Sequence, residues 1–286
     1  MALDSMKEIF DRMEQEGKPF WEIVLETDMD ERQVTRNQSM AKMLITWQAM
    51  SDAADSYTGQ RRSVSGLVGG DGMKMRQYNF RGEAMTGGYV SEVIAEALSM
   101  AESNACMGRI VAAPTAGSAG VVPGVVLALD EAEKYEGARL RDALACAAAV
   151  GFVVSRNATV AGAEGGCQAE VGTASAMAAA AATQLLGGDA RSCLAAASIA
   201  MGNLLGMVCD PIGGLVEDPC QKRNAAAAEN ALAAARMALA GVRPSAPFDE
   251  VVEAMRRVGA ALPAELRETA LGGLAACPSC RGCAGR

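Results

Sequence analysis

The chain has 286 residues, about half of them apolar and about a fifth charged, and it contains no histidine; this length allows one large or two small domains. A net charge of −8 argues against a nucleic-acid partner, because binding to phosphates needs clustered Lys and Arg. The apolar runs are shorter than the roughly 20 residues of a membrane span, so we expect a cytoplasmic protein with no membrane partner.

The first 60 residues show the apolar spacing of amphipathic helices. Leu3, Met6, Phe10 and Met13 recur every three or four residues, with charged residues between them. A similar spacing runs from residue 40 to residue 50. We predict that residues 1–60 form amphipathic helices packed on a main body, residues 61–274, and that residues 275–286 form a Cys-rich tail.

The main body alternates Ala-rich stretches with short loops of Gly, Pro, Ser and Thr. The loop SVSGLVGGDGMKM has four glycines within residues 66–72, too many for a regular helix. Residues 113–124 (APTAGSAGVVPG) and 157–172 (NATVAGAEGGCQAEVG) form similar loops. GRIVAAP is the best strand candidate. Because strand alternation is otherwise missing, we predict an all-α fold, an Ala-rich helical bundle with Gly/Pro-rich loops.

Nine cysteines in a chain without a secretion signal favour buried thiols or metal ligands over disulfides. Cys106, Cys146 and Cys193 lie within Ala-rich stretches, which is typical of small buried side chains. Cys167 and Cys220 are predicted at helix N-termini, where partial positive charge lowers the pKa of a thiol.

The loop CDPIGGLVEDPC joins Cys209, at the end of one predicted helix, to Cys220, at the start of the next. Its prolines and glycines predict that it doubles back and brings the two sulfurs together. The 42 residues from Cys167 to Cys209 are enough for two antiparallel helices, which would return the chain to the same end of the bundle. Three thiolates would therefore converge there. Thiolates without histidine suit an iron–sulfur cluster better than a hard cation, and a missing fourth ligand would leave one iron open as a Lewis acid.

From about residue 62 to residue 273 the chain resembles the α chain of the iron–sulfur-dependent L-serine dehydratases. The motifs that carry the resemblance are SGLVGGD, APTAGSAGVVPG, GAEGGCQAEVG, CDPIGGLVEDPCQKRNA and LRETALGGLA. It implies a 4Fe-4S cluster held by Cys167, Cys209 and Cys220. It also implies conversion of L-serine to pyruvate and ammonia, in which the open iron binds serine, the α-proton is removed and the β-hydroxyl leaves.

Loops of small residues suit the substrate carboxylate, because their backbone N–H groups are unobstructed. We expect the serine carboxylate to bind at Thr115, Gly117 and Ser118. A second choice of loop contains Ser65, Gly69 and Gly70. The competing interpretation is that both loops only connect helices.

The resemblance further implies a partner chain. Single-chain members of the family carry a smaller β domain with a histidine-containing segment at the substrate site, and this sequence contains no such segment. We therefore expect a hetero-oligomer in which a β subunit supplies the general base. Lys74 is the internal candidate for the base, and a solvated lysine is the alternative.

The tail CPSCRGC contains three further cysteines. In some members of the family a C-terminal cysteine occupies the open iron when substrate is absent. We favour Cys283 for this role, with Cys280 and Cys277 as the other candidates. Their spacing would equally suit a separate zinc or redox site.

Two other functions stay open. A related cluster-dependent lyase acting on threonine or cysteine would need the same motifs, and substrate profiling would identify it. A structural zinc or redox-sensing protein built on the tail cysteines would need no catalytic cluster. Iron and acid-labile sulfide content would distinguish that protein from either enzyme.

Overall fold

The computed structural model describes residues 4–82 and 88–280, and within these ranges the chain is helical with no β-strand. The prediction of an all-α fold is therefore confirmed. The strand candidate GRIVAAP is irregular, so that prediction was wrong. An isolated bridge joins Cys209 to Arg267. None of the helices in the described part of the chain is long and apolar enough to cross a membrane.

The N-terminal region forms three helices, as its apolar spacing predicts: α1 (Met6–Glu16), α2 (Phe20–Arg32) and α3 (Arg36–Asp55). The side chain of Ser5 accepts a hydrogen bond from the backbone of Glu8 at the start of α1, over 3.2 Å. Thr35 and Gln38 form a capping box at the start of α3. Helices α2 and α3 pack against a helix of the main body, so their apolar faces join the same core.

The main body is an Ala-rich bundle arranged around one central helix. Its helices are α4 (Asp71–Phe80), α5 (Gly88–Ala105), α6 (Val121–Glu133), α7 (Gly137–Asn157), α8 (Gly162–Gly165), α9 (Thr173–Leu185), α10 (Ala190–Asn203), α11 (Cys220–Leu239) and α12 (Phe248–Ala261). Helix α9 is buried over nearly its whole length, and α6, α7, α10 and α11 pack around it.

Small residues let these helices approach closely. The hydroxyl group of Ser175 on α9 donates a hydrogen bond to the backbone oxygen of Ala227 on α11, over 2.8 Å. Gly124 on α6 faces Ala97 on α5, where a Cβ atom added to the glycine would lie only 2.8 Å from the alanine Cβ. A larger side chain at either crossing would push two helices apart, and the loops at their ends would separate as well.

The Gly-rich loop after α3 is shorter than its sequence predicts. It ends at Gly70, and α4 begins at Asp71, so Gly72 to Met75 are helical rather than irregular. Gly70 has a φ of 83°, in the left-handed region that glycine adopts without strain.

Candidate functional site

Cys167 stands at the start of the helical stretch that becomes α9, as predicted. A π-helical turn from Gln168 to Gly172 follows it and runs directly into α9. The buried side-chain amide of Gln168 donates to the backbone oxygen of Met255 over 3.0 Å and accepts from the backbone N–H of Gly206 over 2.8 Å. Because Gly206 lies on the segment that leads to Cys209, this glutamine holds two of the cysteine segments together.

Cys209 does not end a helix, contrary to the prediction from sequence, because α10 already ends at Asn203. It lies in an extended segment whose N–H donates to the oxygen of Leu266 over 2.9 Å and whose oxygen accepts from the N–H of Glu268 over 2.7 Å. Glu268 has a φ of 63°, which is uncommon for a residue other than glycine. The LRETALGGLA motif therefore fixes the backbone of Cys209.

Cys220 is the first residue of α11, and Pro219 precedes it, so the predicted helix start is confirmed. The loop from Cys209 to Cys220 doubles back as expected, because the N–H of Ile212 donates to the oxygen of Asp218 over 2.9 Å. The two ends of CDPIGGLVEDPC consequently lie on the same side of the loop.

The three thiols are close enough for the charge of one to affect the ionisation of another. Burial raises the pKa of Cys167 to about 11, although Arg223 opposes the shift. Burial raises the pKa of Cys220 to about 12, and the charge of Cys167 adds to it. Burial also raises the pKa of Cys209, with further contributions from Cys167 and Cys220. The expected lowering of these pKa values by helix N-termini was therefore wrong for the chain by itself, because burial outweighs it.

This donor set fits a cationic cluster. Buried thiols that repel one another as thiolates ionise together only when positive charge is bound among them. Gly162 leaves space at Cys209, since a Cβ atom there would lie 3.0 Å from the Cys209 sulfur. No three Cys, Asp or Glu side chains of the described residues form a compact site for a single metal ion. In a cluster each thiolate binds a different iron, so its ligands stand further apart.

Arg223, in the first turn of α11, brings positive charge to the thiols. Its guanidinium group lies beside Cys167, pairs with the Asp210 carboxylate at 2.7 Å and donates to the oxygen of Val208 over 2.9 Å. The second oxygen of Asp210 accepts from the N–H of Leu274 over 2.7 Å. One ion pair thus connects the cysteine loop to the segment that leads into the tail.

Glu170 lies between the thiols and the Thr115 loop. The hydroxyl group of Thr115 donates to its Oε1 over 2.7 Å, and a Cβ atom added to Gly162 would lie 2.6 Å from its Oε2. Burial raises the pKa of Glu170, the bond from Thr115 opposes the shift, and the charge of Glu268 adds to it. A largely buried carboxyl group with a perturbed pKa beside a candidate substrate loop is typical of an acid–base residue.

The loop around Thr115 is held against α11 by Asn224, which is fully buried. The side-chain amide of Asn224 donates to the oxygen of Gly117 over 2.8 Å and accepts from the N–H of Gly120 over 2.9 Å. Thr115 and Gly117 therefore lie at the site. Ser118 is buried, and its hydroxyl group caps the short turn that follows Thr115.

The SGLVGGD loop borders the same site from the other side. Ser65 donates a hydrogen bond to the buried carboxylate of Glu217, which belongs to the cysteine loop. The N–H of Gly70 donates to the carboxylate of Glu102 over 3.1 Å. Gly69 has a φ of 142°, which again requires glycine. The hydroxyl group of Ser65 thus connects the SGLVGGD loop to the cysteine loop, while Gly69 and Gly70 form the turn before α4.

None of the remaining candidates among the described residues has a hydrogen bond or ion pair to the three thiols. Lys74 is exposed and pairs with Asp71 at 2.6 Å, so no described contact brings its ammonium group to the cysteines. Cys277 and Cys280 are partly exposed and follow the segment anchored by Asp210. Cys283 lies outside the described residues.

Two polar residues that connect the motifs were not predicted from the sequence. Gln168 directly follows Cys167, and Asn224 follows Cys220 within about one helical turn. A polar side chain inside an Ala-rich, buried stretch must find a partner, because an unsatisfied buried polar group is costly. That signal was present in the sequence beside the candidate ligands.

Comparison with known proteins places these features in a family. Residues 15–275 match the family model described as serine dehydratase alpha chain. The chain is 41% identical over 277 residues to the probable L-serine dehydratase, alpha chain, of Bacillus subtilis (strain 168), covering 97% of this chain and 92% of that protein. It is 41% identical over 274 residues to the L-serine dehydratase, alpha chain, of Peptoniphilus asaccharolyticus, covering 96% and 94%.

A third relative is longer. L-serine dehydratase 2 of Escherichia coli (strain K12) is 45% identical over 181 residues, which make up 63% of this chain and 40% of that protein.

Proposed function

The chain belongs to the serine dehydratase alpha chain family, and from this membership we propose that it converts L-serine to pyruvate and ammonia. The observation that supports the proposal best is the set of three mutually interacting thiols beside Glu170 and the Thr115 loop, of which Cys167 and Cys209 are buried and Cys220 is partly buried. We infer the substrate, L-serine, from the relatives that are named as L-serine dehydratases.

The three cysteines would hold a 4Fe-4S cluster with no fourth ligand from the described loops. When bound, such a cluster supplies a Lewis-acidic iron for the substrate hydroxyl group. Arg223 would offset part of the negative charge of the thiolates, because its guanidinium group lies beside Cys167. Gly162 would keep the space next to Cys209 clear.

Thr115 and Gly117 would bind the carboxylate of serine. Their turn presents small side chains and backbone N–H groups, and Asn224 fixes its position relative to α11. Ser118 would support the turn from within, since its side chain is fully buried. In the second loop, Gly69 and Gly70 are the better candidates, because the hydroxyl group of Ser65 is bonded to Glu217.

Dehydration of serine needs two proton transfers: one from Cα and one to the departing hydroxyl group, which leaves as water. Within this chain Glu170 replaces Lys74 as the internal candidate for an acid–base group, because the Glu170 carboxyl group is next to the thiols whereas Lys74 pairs with Asp71. Its free oxygen, Oε2, would carry the proton, while Thr115 holds Oε1. The second acid–base group would come from a β subunit, since the chain has no histidine.

The partner proposal has a further basis in chain length. This chain covers nearly all of the alpha chains it matches, but the aligned part is only 40% of the length of the Escherichia coli protein. A separate β chain would supply what the longer protein carries in one chain, giving a hetero-oligomer. The tail cysteines Cys277, Cys280 and Cys283 stay as proposed fourth ligands for the cluster without substrate, because Leu274, three residues before Cys277, is bonded to Asp210, the residue after Cys209.

Anaerobic purification with iron and acid-labile sulfide analysis tests the cofactor. We expect about four irons per chain, lost on substitution Cys167→Ala and kept on substitution Cys106→Ala, a matched change outside the site. Zinc without iron would contradict the proposal. Pyruvate formation from serine, compared with threonine and cysteine and measured with and without the β subunit, tests the substrate and the partner.

The variant Glu170→Gln tests the acid–base role. We expect kcat for serine to fall by roughly 10²–10⁴-fold while the iron content stays unchanged. Glu164→Gln, an exposed carboxylate on the same motif, is the control and should keep its activity. Full activity of Glu170→Gln would remove Glu170 from the mechanism without affecting the assignment of the cysteines.

A further inference from the structure

A cavity that is open to solvent lies between α3, α4, α5 and α6, away from the three cysteines of the serine site. Its volume is about 770 Å³, and its lining contains none of the residues assigned to the serine site. Cavities of roughly 300–1,000 Å³ are typical of small-molecule sites. The cavity is therefore large enough for a small-molecule ligand. Such a ligand would bind separately from the serine of the proposed reaction.

The cavity is acidic. Five carboxyl groups line it against two basic side chains, and the carboxylates of Asp55 and Glu131 make no hydrogen bond or ion pair with any residue that the structure describes. Asp130 and Glu92 each accept one hydrogen bond, from the backbone of Tyr135 and from Asn79. The excess of carboxylates favours a positively charged occupant.

The floor of the cavity contains unsatisfied polar atoms. Glu96 is 6% exposed; its Oε1 accepts from Arg76 over 2.6 Å, while its Oε2 has no hydrogen-bond partner in the described chain. Arg76 Nε and Asn79 Oδ1, on the same wall, are also buried without partners. Burial raises the pKa of Glu96, with Arg76 opposing and the charges of Glu92 and Glu131 adding. A donor group entering the cavity would relieve this unfavourable burial.

The remaining lining is aromatic. Phe80 is 94% exposed at the cavity, Trp47 forms part of the α3 wall, and Arg76 already stacks over Tyr57 at 5.4 Å. Aromatic faces suit the methylene groups and the charge of an organic cation. They do not suit a bare metal ion, which needs several oxygen ligands around it, and no three acidic side chains within residues 4–82 and 88–280 form such a set.

We propose that this cavity binds a small organic dication, with an aliphatic chain between two amino or guanidino groups. One positive group donates to Glu96 at the floor, and the other meets the free carboxylates of Asp55 and Glu131. The aliphatic chain packs against Phe80 and Trp47.

Calorimetric titration of the full chain with putrescine, a four-carbon diamine, tests the proposal. We expect saturable binding of putrescine and none of butanediol, which has the same chain length without the charge. Glu96→Gln should weaken putrescine binding by about tenfold or more, because a charge-assisted hydrogen bond is lost. Glu14→Gln, an exposed carboxylate paired with Arg191 elsewhere, should leave it unchanged.

Glu131→Gln is a second variant that should fold normally, because the Glu131 side chain makes no hydrogen bond or ion pair with a residue that the structure describes. Weaker binding to this variant would support the site. Equal binding of butanediol, or undiminished putrescine binding by both Glu96→Gln and Glu131→Gln, would overturn the proposal. Binding of a tetralysine peptide without binding of putrescine would also overturn it, since the cavity would then be a docking site for a basic protein segment.

Discussion

Replacement of Asn224 by alanine removes the side chain that joins α11 to the Thr115 loop. The asparagine is fully buried, and its amide group bonds to the N–H of Gly120 and to the oxygen of Gly117. In the variant the buried N–H of Gly120 loses its partner in a place without bulk solvent, while the oxygen of Gly117 is only partly buried and can bond to water instead. Asn224 also donates a third hydrogen bond, to the oxygen of Cys220. Loss of this bond should contribute less to the change in stability, because that oxygen lies within helix α11.

The size of the effect follows mainly from the N–H of Gly120. A buried group left unsatisfied costs about 1–3 kcal/mol, so we expect Asn224→Ala to lower the free energy of unfolding by about that amount. Asn203→Ala, an exposed asparagine at the end of α10, is the control and should change the free energy of unfolding by less than about 0.5 kcal/mol.

Urea unfolding followed by circular dichroism measures this difference. Because the Cys220 side chain is untouched, iron content per chain should stay constant, while KM for serine should rise as the loop loses its support. Asn224→Ala unfolding at the same urea concentration as the unchanged chain would refute the energetic reasoning. An unchanged KM would refute the placement of Thr115 and Gly117 at the substrate.

Two further predictions concern Gly162, beside the proposed ligand Cys209, and the core cysteine Cys193. Gly162→Ala places a methyl group 3.0 Å from the Cys209 sulfur, so cluster reconstitution should yield less iron per chain; Gly202→Ala, with no atom within 4 Å of the added carbon, should reconstitute normally. Burial raises the pKa of Cys193 from 9.0 to about 12, so its contribution to stability is complete below pH 9 and is lost as pH rises toward 12. Cys193→Ala should flatten that alkaline decline in the free energy of unfolding, and an unchanged decline would contradict the assignment.

The helices were predictable because their sequence signals are local. Alanine has the highest helix propensity, and the runs that became α9 and α11 begin beside Gly or Pro, which placed Cys167 and Cys220 correctly at helix starts. The position of Cys209 was not predictable in this way. Its extended backbone is set by Leu266 and Glu268, which are distant in sequence, and a local pattern contains no information about such a partner.

The prediction that the pKa values of Cys167 and Cys220 are lowered failed for a related reason. A helix N-terminus can be read from sequence, and it lowers the pKa of a nearby thiol. Burial depends on the whole packed bundle and here raises the pKa of Cys167 and Cys220 instead. Glu170 escaped notice for the same reason, because its position between the thiols and Thr115 arises only from packing.

The cysteine segments are each fixed by bonds that involve no cysteine sulfur. Gln168 holds the turn after Cys167, the LRETALGGLA motif holds Cys209, and Asn224 holds the first turn of α11 after Cys220. The core around α9 contributes as well, because Cys167 and Cys209 are packed within it. In small zinc domains the metal supplies the folding energy, and the ligands have no fixed positions without it. In this chain hydrogen bonds of the polypeptide hold the segments of the three cysteines that we propose as ligands, so we expect the binding energy of a cluster to serve mainly for holding the cluster and its substrate.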